Sequence, residues 1–205
     1  MSNDIHTAND SSSTPLDPQE IIGLIPPLST QEELNDAEGQ NIADARFWIR
    51  NRKKALSTSE VLTEKWARQL HKKMYCDVWK WAGEFRRTEK NIGLGDWTRI
   101  PVELKQAIDT ARDQHAHKND WELTHQLIAA QLSQKVVWVH PFPNGNGRWS
   151  REFANAYLLA NKQPLFSWGI NAYPDLEERR KAYVKALKHA DATTDVSMLL
   201  KFAVN

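Results

Sequence analysis

The amino-acid sequence predicts a mainly α fold, a helical bundle interrupted by one short non-helical segment. Two observations carry that expectation. Beyond residue 30, apolar residues recur at helical spacing along most of the chain, and Ser, Thr, Asp or Pro stands where helices would begin. Only the stretch from Trp79 to Pro101 holds three glycines without a sustained helical stripe. The 205 residues suit one domain with an appendage, and 40% apolar with 26% charged residues argue against global disorder.

Taken in order, residues 1–15 are polar, rich in Asn, Asp, Ser and Thr, and read as a disordered lead. Residues 14–27 hold four prolines and an apolar patch of Ile21, Ile22, Leu24 and Ile25, which suits an ordered arm packed on the domain. Ser29 or Thr30 then caps a helix, with Glu32 or Glu33 as capping-box partner, and Leu34, Ala37, Ile42 and Ala45 extend it to about residue 51. A second helix runs from Ser57 or Ser59 to about Tyr75, with Leu62, Trp66, Leu70 and Met74 spaced by four. The glycine-bearing segment predicts a β-hairpin or extended flap near 86–100.

Pro101 suits the first turn of a helix continuing to about His117. Asp120 is the expected cap of the next helix, which buries Leu123, Leu127, Ala130 and Val137. A loop spans about 139–145. The following helix, 146–161, carries a stripe of Trp149, Phe153, Ala156, Tyr157 and Ala160. Two helices near 174–189 and 194–204 complete the chain. Trp48, Trp66, Trp79, Trp81 and Trp138 fall at packing positions and read as core.

Composition narrows the function. A net charge of +1 with no long basic run argues against direct nucleic-acid binding. The single cysteine, Cys76, has no internal disulfide partner, which fits a cytoplasmic protein. No basic-then-apolar leader opens the sequence, and no apolar run approaches a membrane span.

The informative stretch is His140-Pro141-Phe142-Pro143-Asn144-Gly145-Asn146-Gly147-Arg148-Trp149-Ser150-Arg151. The prolines enforce an extended loop before Asn144. Gly145 and Gly147 allow backbone angles that turn successive amides to one side, and the helix that follows adds the positive end of its dipole. This is an anion nest at a helix N-terminus. Arg148 and Arg151, three apart, add two guanidinium groups suited to a polyphosphate. His140 stands before the nest as a candidate general base. A base, an anion cradle and two arginines are the parts of phosphoryl or nucleotidyl transfer.

H-x-F-x-x-G-N-G-R-x-x-R is similar to the signature of the Fic family and is matched here at every fixed position. Trp81-Ala82-Gly83-Glu84-Phe85-Arg86 resembles the family sequence that introduces the target-binding flap, and Tyr183, Ala186, Leu187, Ala190, Asp191 and Asp195 resemble its terminal helices. With TPLDPQEIIGLIP, the chain over 14–204 resembles the Fic subgroup called mobile mystery protein B. The resemblance implies a Fic-like helical bundle with a small β-hairpin flap. It divides the chain into the lead over 1–15, an N-terminal arm and helix over 16–55, and a Fic domain over 56–205.

The resemblance also implies a protein adenylyltransferase that uses ATP with Mg²⁺. His140 would deprotonate a Ser, Thr or Tyr hydroxyl on a target protein. Gly145, Asn146 and Gly147 would cradle the α- and β-phosphates, Arg148 would hold the β-phosphate, and Arg151 would orient the γ-phosphate. Lys90, Asn91, Ile92 and Gly93 would form the flap strand that pairs with the target backbone. Self-modification and a helix-turn-helix companion protein are further implied partners. A different phosphate-linked donor, phosphoryl transfer, or a toxin-like binding module are the alternatives.

Two departures matter. The family usually has Asp or Glu where this chain has Asn144, which leaves one neutral carbonyl oxygen for Mg²⁺. Losing that charge beside a divalent ion costs on the order of a few kcal/mol. The Glu38-Gly39 pair matches part of the family's inhibitory helix but lacks its Ser or Thr. Glu38 is therefore either an inhibitor reaching Arg151 or a solvated helical residue.

Overall fold

The computed structural model of the chain describes residues 18–205, so the predicted lead over 1–15 lies outside the described residues. Along the chain run α1 (Pro18–Ile21), α2 (Gln31–Asn51), α3 (Thr58–Val61), α4 (Glu64–Tyr75) and a 3₁₀ turn (Trp97–Arg99). Then come α5 (Ile100–Ala116), α6 (His125–Val139), α7 (Asn146–Ala160), α8 (Leu176–Thr193) and α9 (Ser197–Val204). No helix among the described residues is long and apolar enough to cross a membrane.

α6 is the axis of the bundle. Its buried residues include Ile128, Ala129, Ala130, Leu132 and Val136, and it packs against α5, α7, α8 and α9. A helix apolar on most faces has no stable place except between others, and its alanines let neighbours approach closely. α4 packs against α7 and α2, and their contact holds fully buried Trp66, Met74, Trp149 and Phe153. Truncating rings at such positions costs about 3–5 kcal/mol. Trp66 is core as expected, and the partly buried Trp48 of α2 stacks on it with ring centroids 5.2 Å apart.

Helix starts follow side-chain chemistry. Thr30 and Glu33 form a complete capping box at α2. The single helix expected over 57–75 is two. Thr63 ends α3 by donating to the Glu60 carbonyl and opens α4 by accepting from the Trp66 amide. The cap of α6 is Thr124 rather than Asp120, because its hydroxyl accepts from the Leu127 amide.

The expected β-hairpin flap is not formed. Among the described residues no strand forms, and Leu24 meets Trp79 in an isolated bridge. The segment over 86–96 spends its backbone groups on other parts of the chain: the Arg86 amide donates to the Pro141 carbonyl and the Leu94 amide to the Trp138 carbonyl, both at 2.9 Å. With those groups committed to the end of α6 and the loop beyond it, no ladder can close within the segment.

The N-terminal arm lies along 78–90. The Ile25 amide donates to the Val78 carbonyl, the Lys80 amide to the Gly23 carbonyl, and the Trp81 indole to the Glu20 carbonyl. Glu20, itself buried, accepts from the Lys90 ammonium at 2.7 Å and the Thr88 hydroxyl at 3.0 Å.

Candidate active site

α6 ends at His140, whose backbone is left-handed (φ 51°, ψ 57°). Such a conformation costs an L-residue about 1–2 kcal/mol, and histidine tolerates it better than β-branched residues. Pro141 prevents the helix from continuing and sends the chain into the loop. The loop is then tied by residues four apart. Asn146 accepts from the Phe142 amide at 2.9 Å and returns a hydrogen bond to the Phe142 carbonyl at 2.8 Å. The Asn146 side chain therefore shapes the loop, while its backbone lies at the start of α7. Phe142 is fully buried, stacked on His71 at 3.7 Å and edge-on to Trp149 at 4.9 Å.

Gly145 sits at the N-cap of α7 with φ 77° and no side chain to cap the helix. The first backbone bond of α7 runs from the Trp149 amide to the Gly145 carbonyl, so the preceding amides face out of the helix end. The Tyr75 ring lies against Gly145. An added Cβ would fall 2.4 Å from its Cζ, which makes glycine obligatory there.

The two arginines rest on different rings. Arg148 lies over Tyr75, 5.4 Å from the centroid, and Arg151 over Tyr183 at 5.1 Å. Arg151 Nε also donates to the Gly147 carbonyl at 3.1 Å. Glu38 is buried and pairs with Arg148 at 2.6 Å, not with Arg151, and its other oxygen accepts from the Trp79 indole at 2.7 Å. Both the expected partner and the solvated alternative are thereby replaced. With Arg151 turned onto Gly147 and Tyr183, Arg148 is the cation that α2 can meet.

His140 is 4% exposed. Burial, reinforced by the charges of Arg86 and Lys90 and opposed by the Val137 carbonyl, lowers its pKa to about 4, so the imidazole is neutral at pH 7. Asn144 is half-buried, and its Oδ1 accepts from the Gly145 amide. That oxygen keeps a second lone pair, so it fits a hard cation as one neutral ligand.

Of the flap residues, Lys90 turns inward to Glu20, whereas Asn91 and Ile92 are exposed. Gly93, with φ 58°, is pressed on the end of α6: a Cβ there would meet the Trp138 carbonyl oxygen at 2.0 Å.

Sequence reasoning missed His71. The Gly83 amide donates to its Nδ1 at 3.0 Å, so Nε2 carries the proton and donates to the Asn144 carbonyl, 3.1 Å away. Burial, opposed by the Asn144 carbonyl and helped by Arg148, lowers its pKa to about 3. The available signal was a histidine on the same inward face of α4 as Leu70, Met74 and Tyr75.

An α-helical bundle with an uncapped, arginine-flanked helix N-terminus just after a buried neutral histidine defines the structural class. Residues 61–158 match the model of the Fic/DOC family. The chain is 32% identical over 90 residues to the protein adenylyltransferase VbhT of Bartonella schoenbuchensis, covering 42% of this chain and 19% of that one. It is 35% identical over 80 residues to the protein adenylyltransferase Fic of Nematostella vectensis, covering 38% and 18%. It thus spans under a fifth of the length of these curated relatives.

The BepC protein of Bartonella tribocorum, solved with bound AMPPNP, superposes with a TM-score of 0.62 at 16% identity, over 92% of this chain and 97% of that one. Fic-1 of C. elegans superposes at 0.61 with 19% identity, over 89% and 51%. At those identities the likeness is one of fold.

Proposed function

We propose that this chain is a protein adenylyltransferase that moves AMP from ATP to a Ser, Thr or Tyr hydroxyl of a target protein. One observation carries the reading: a buried, neutral imidazole precedes a loop that ends in an open helix N-terminus flanked by two arginines. The names of the two curated relatives support it. The finer placement, in the mobile mystery protein B subgroup and at a cytoplasmic site with a toxin-like role, rests on the arm sequence and the single cysteine.

In this reading the amides at the start of α7 receive the donor's phosphates, and Arg148 and Arg151 clasp their oxygens. His140 takes the proton of the target hydroxyl as its oxygen attacks the α-phosphorus and pyrophosphate leaves with the electron pair of the broken bond. A neutral imidazole is the form able to accept that proton. Magnesium, carried in with the donor, supplies charge neutralisation, and this chain offers it the Asn144 side-chain oxygen. Asn91, Ile92 and Gly93 align the target segment. Glu38 holds Arg148 until phosphate displaces it, which makes the arm helix α2 inhibitory.

The test is incubation with ATP labelled at the α- or γ-phosphate, followed by intact-mass spectrometry of the chain and of lysate proteins. Transfer of the α-label with an AMP mass increment is expected, reduced at least a hundredfold in His140→Asn and raised in Glu38→Gly. Transfer of the γ-label, or an undiminished His140→Asn, overturns the assignment, and an unchanged Glu38→Gly removes the inhibitory role.

A further inference from the structure

We propose that Arg86 is a positioning residue that holds the general base and the target flap in one fixed relation; this rests on the adenylyl-transfer reading above. Its side chain is 1% exposed, and every hydrogen bond it makes goes to a backbone carbonyl. Nε donates to the His140 carbonyl at 2.7 Å. Nη1 donates to the carbonyls of Thr88 at 2.6 Å and Gly95 at 2.9 Å. The Arg86 amide adds a bond to the Pro141 carbonyl at 2.9 Å.

Each contact has a separate consequence. His140 stands at the left-handed end of α6, where its carbonyl has no partner within the helix. Holding that oxygen fixes the peptide plane after His140, and with it the direction in which the imidazole leaves the backbone. Thr88 and Gly95 bracket the flap. Because one nitrogen holds both carbonyls, it sets the width of a loop that has no ladder of its own. A single side chain thus ties both ends of the flap to the residue that removes the proton.

A merely structural cation would be a poor solution at this place. Burying a guanidinium among carbonyls, with no carboxylate in hydrogen-bond contact, is unfavourable unless several acceptors are met at once. Nε and Nη1 of the planar arginine fork meet three acceptors here, although the buried Nη2 meets none among the described residues, whereas the ammonium of lysine, a compact point charge, has no matching rigid fork. Burial keeps the imidazole of His140 neutral, and the Arg86 charge, together with that of Lys90, adds to the effect.

The experiment compares Arg86→Lys and Arg86→Gln with the full wild-type chain in three readouts: melting temperature, affinity for a non-hydrolysable ATP analogue, and the pH profile of AMP transfer. Both variants should lose ten- to a hundredfold in kcat while analogue affinity stays within about threefold. In Arg86→Gln alone, where the charge is gone and Lys90 remains, the acid limb of kcat/KM should move to higher pH. A lysine variant with wild-type kcat overturns the proposal, as does a loss of transfer matched by an equal loss of analogue affinity. If neither variant folds, deuterium uptake of the wild-type chain decides: peptides over 87–95 and 139–142 should open together as denaturant rises, and independent opening refutes the coupling. A wild-type chain that transfers no AMP instead overturns the reaction reading itself.

Discussion

The loop over 140–147 and the flap over 86–96 lie against each other, yet they are built in opposite ways. The loop is tied first within itself, where Asn146 bonds Phe142 in both directions and Asn144 bonds the next amide, and His71 and Arg86 then add bonds to its carbonyls. The flap is held mainly from outside, by Glu20 on its buried Lys90 and by Trp138 on Leu94, while its other buried cation, Arg86, ties it across. A structure closed by short-range partners is specified wherever its sequence occurs. A structure closed by partners some 70 residues away exists only once the rest has folded.

The comparison can be broken most severely at the two glycines. Gly145→Ala combines a positive φ with overlap of the Tyr75 ring, and should lower stability by about 3 kcal/mol and abolish ATP-analogue binding. Gly93→Ala meets a backbone carbonyl instead, so the flap must lift. Transfer to target should fall at least tenfold while analogue binding persists. Calorimetry and transfer assays on both variants check the contrast, and a Gly93→Ala variant that loses analogue binding as Gly145→Ala does removes it.

Acid sharpens the comparison next. His71 and His140 have folded pKa values near 3 and 4, both below the unfolded value of about 6.5. The unfolded chain therefore binds more protons at lower pH, and stability present above pH 6.5 is lost as pH falls toward the folded values. Each histidine contributes up to about 1.4 kcal/mol per pH unit. Urea midpoints measured between pH 7 and 5, where carboxylates stay ionised, should fall, with hydrogen exchange rising in the loop and the flap together. A flat profile contradicts the burial of both rings. The smallest effect is expected from Ile92→Ser at the exposed flap. Stability should change by less than about 0.5 kcal/mol, and only the KM for the target protein should rise.

The same contrast explains what the sequence made legible. The nest, the arginine pair and the helix stripes were readable because each is a pattern written within one or two turns of chain. Glu38 was readable as a residue of interest but not as the partner of Arg148, since that depends on how α2 crosses α7. The hairpin was misread because glycines mark a turn without saying where the neighbouring amides will find acceptors. His71 and Arg86 escaped for a related reason. A buried polar side chain that serves distant backbone looks, in one dimension, like any helical His or loop Arg.

The left-handed backbone at His140 has a consequence for anyone altering that position. Valine, isoleucine or threonine would be disfavoured there on steric grounds before any chemistry is lost. Asparagine and glycine keep the turn. A selection for folded but silent variants should return those two far more often than the rest of the alphabet.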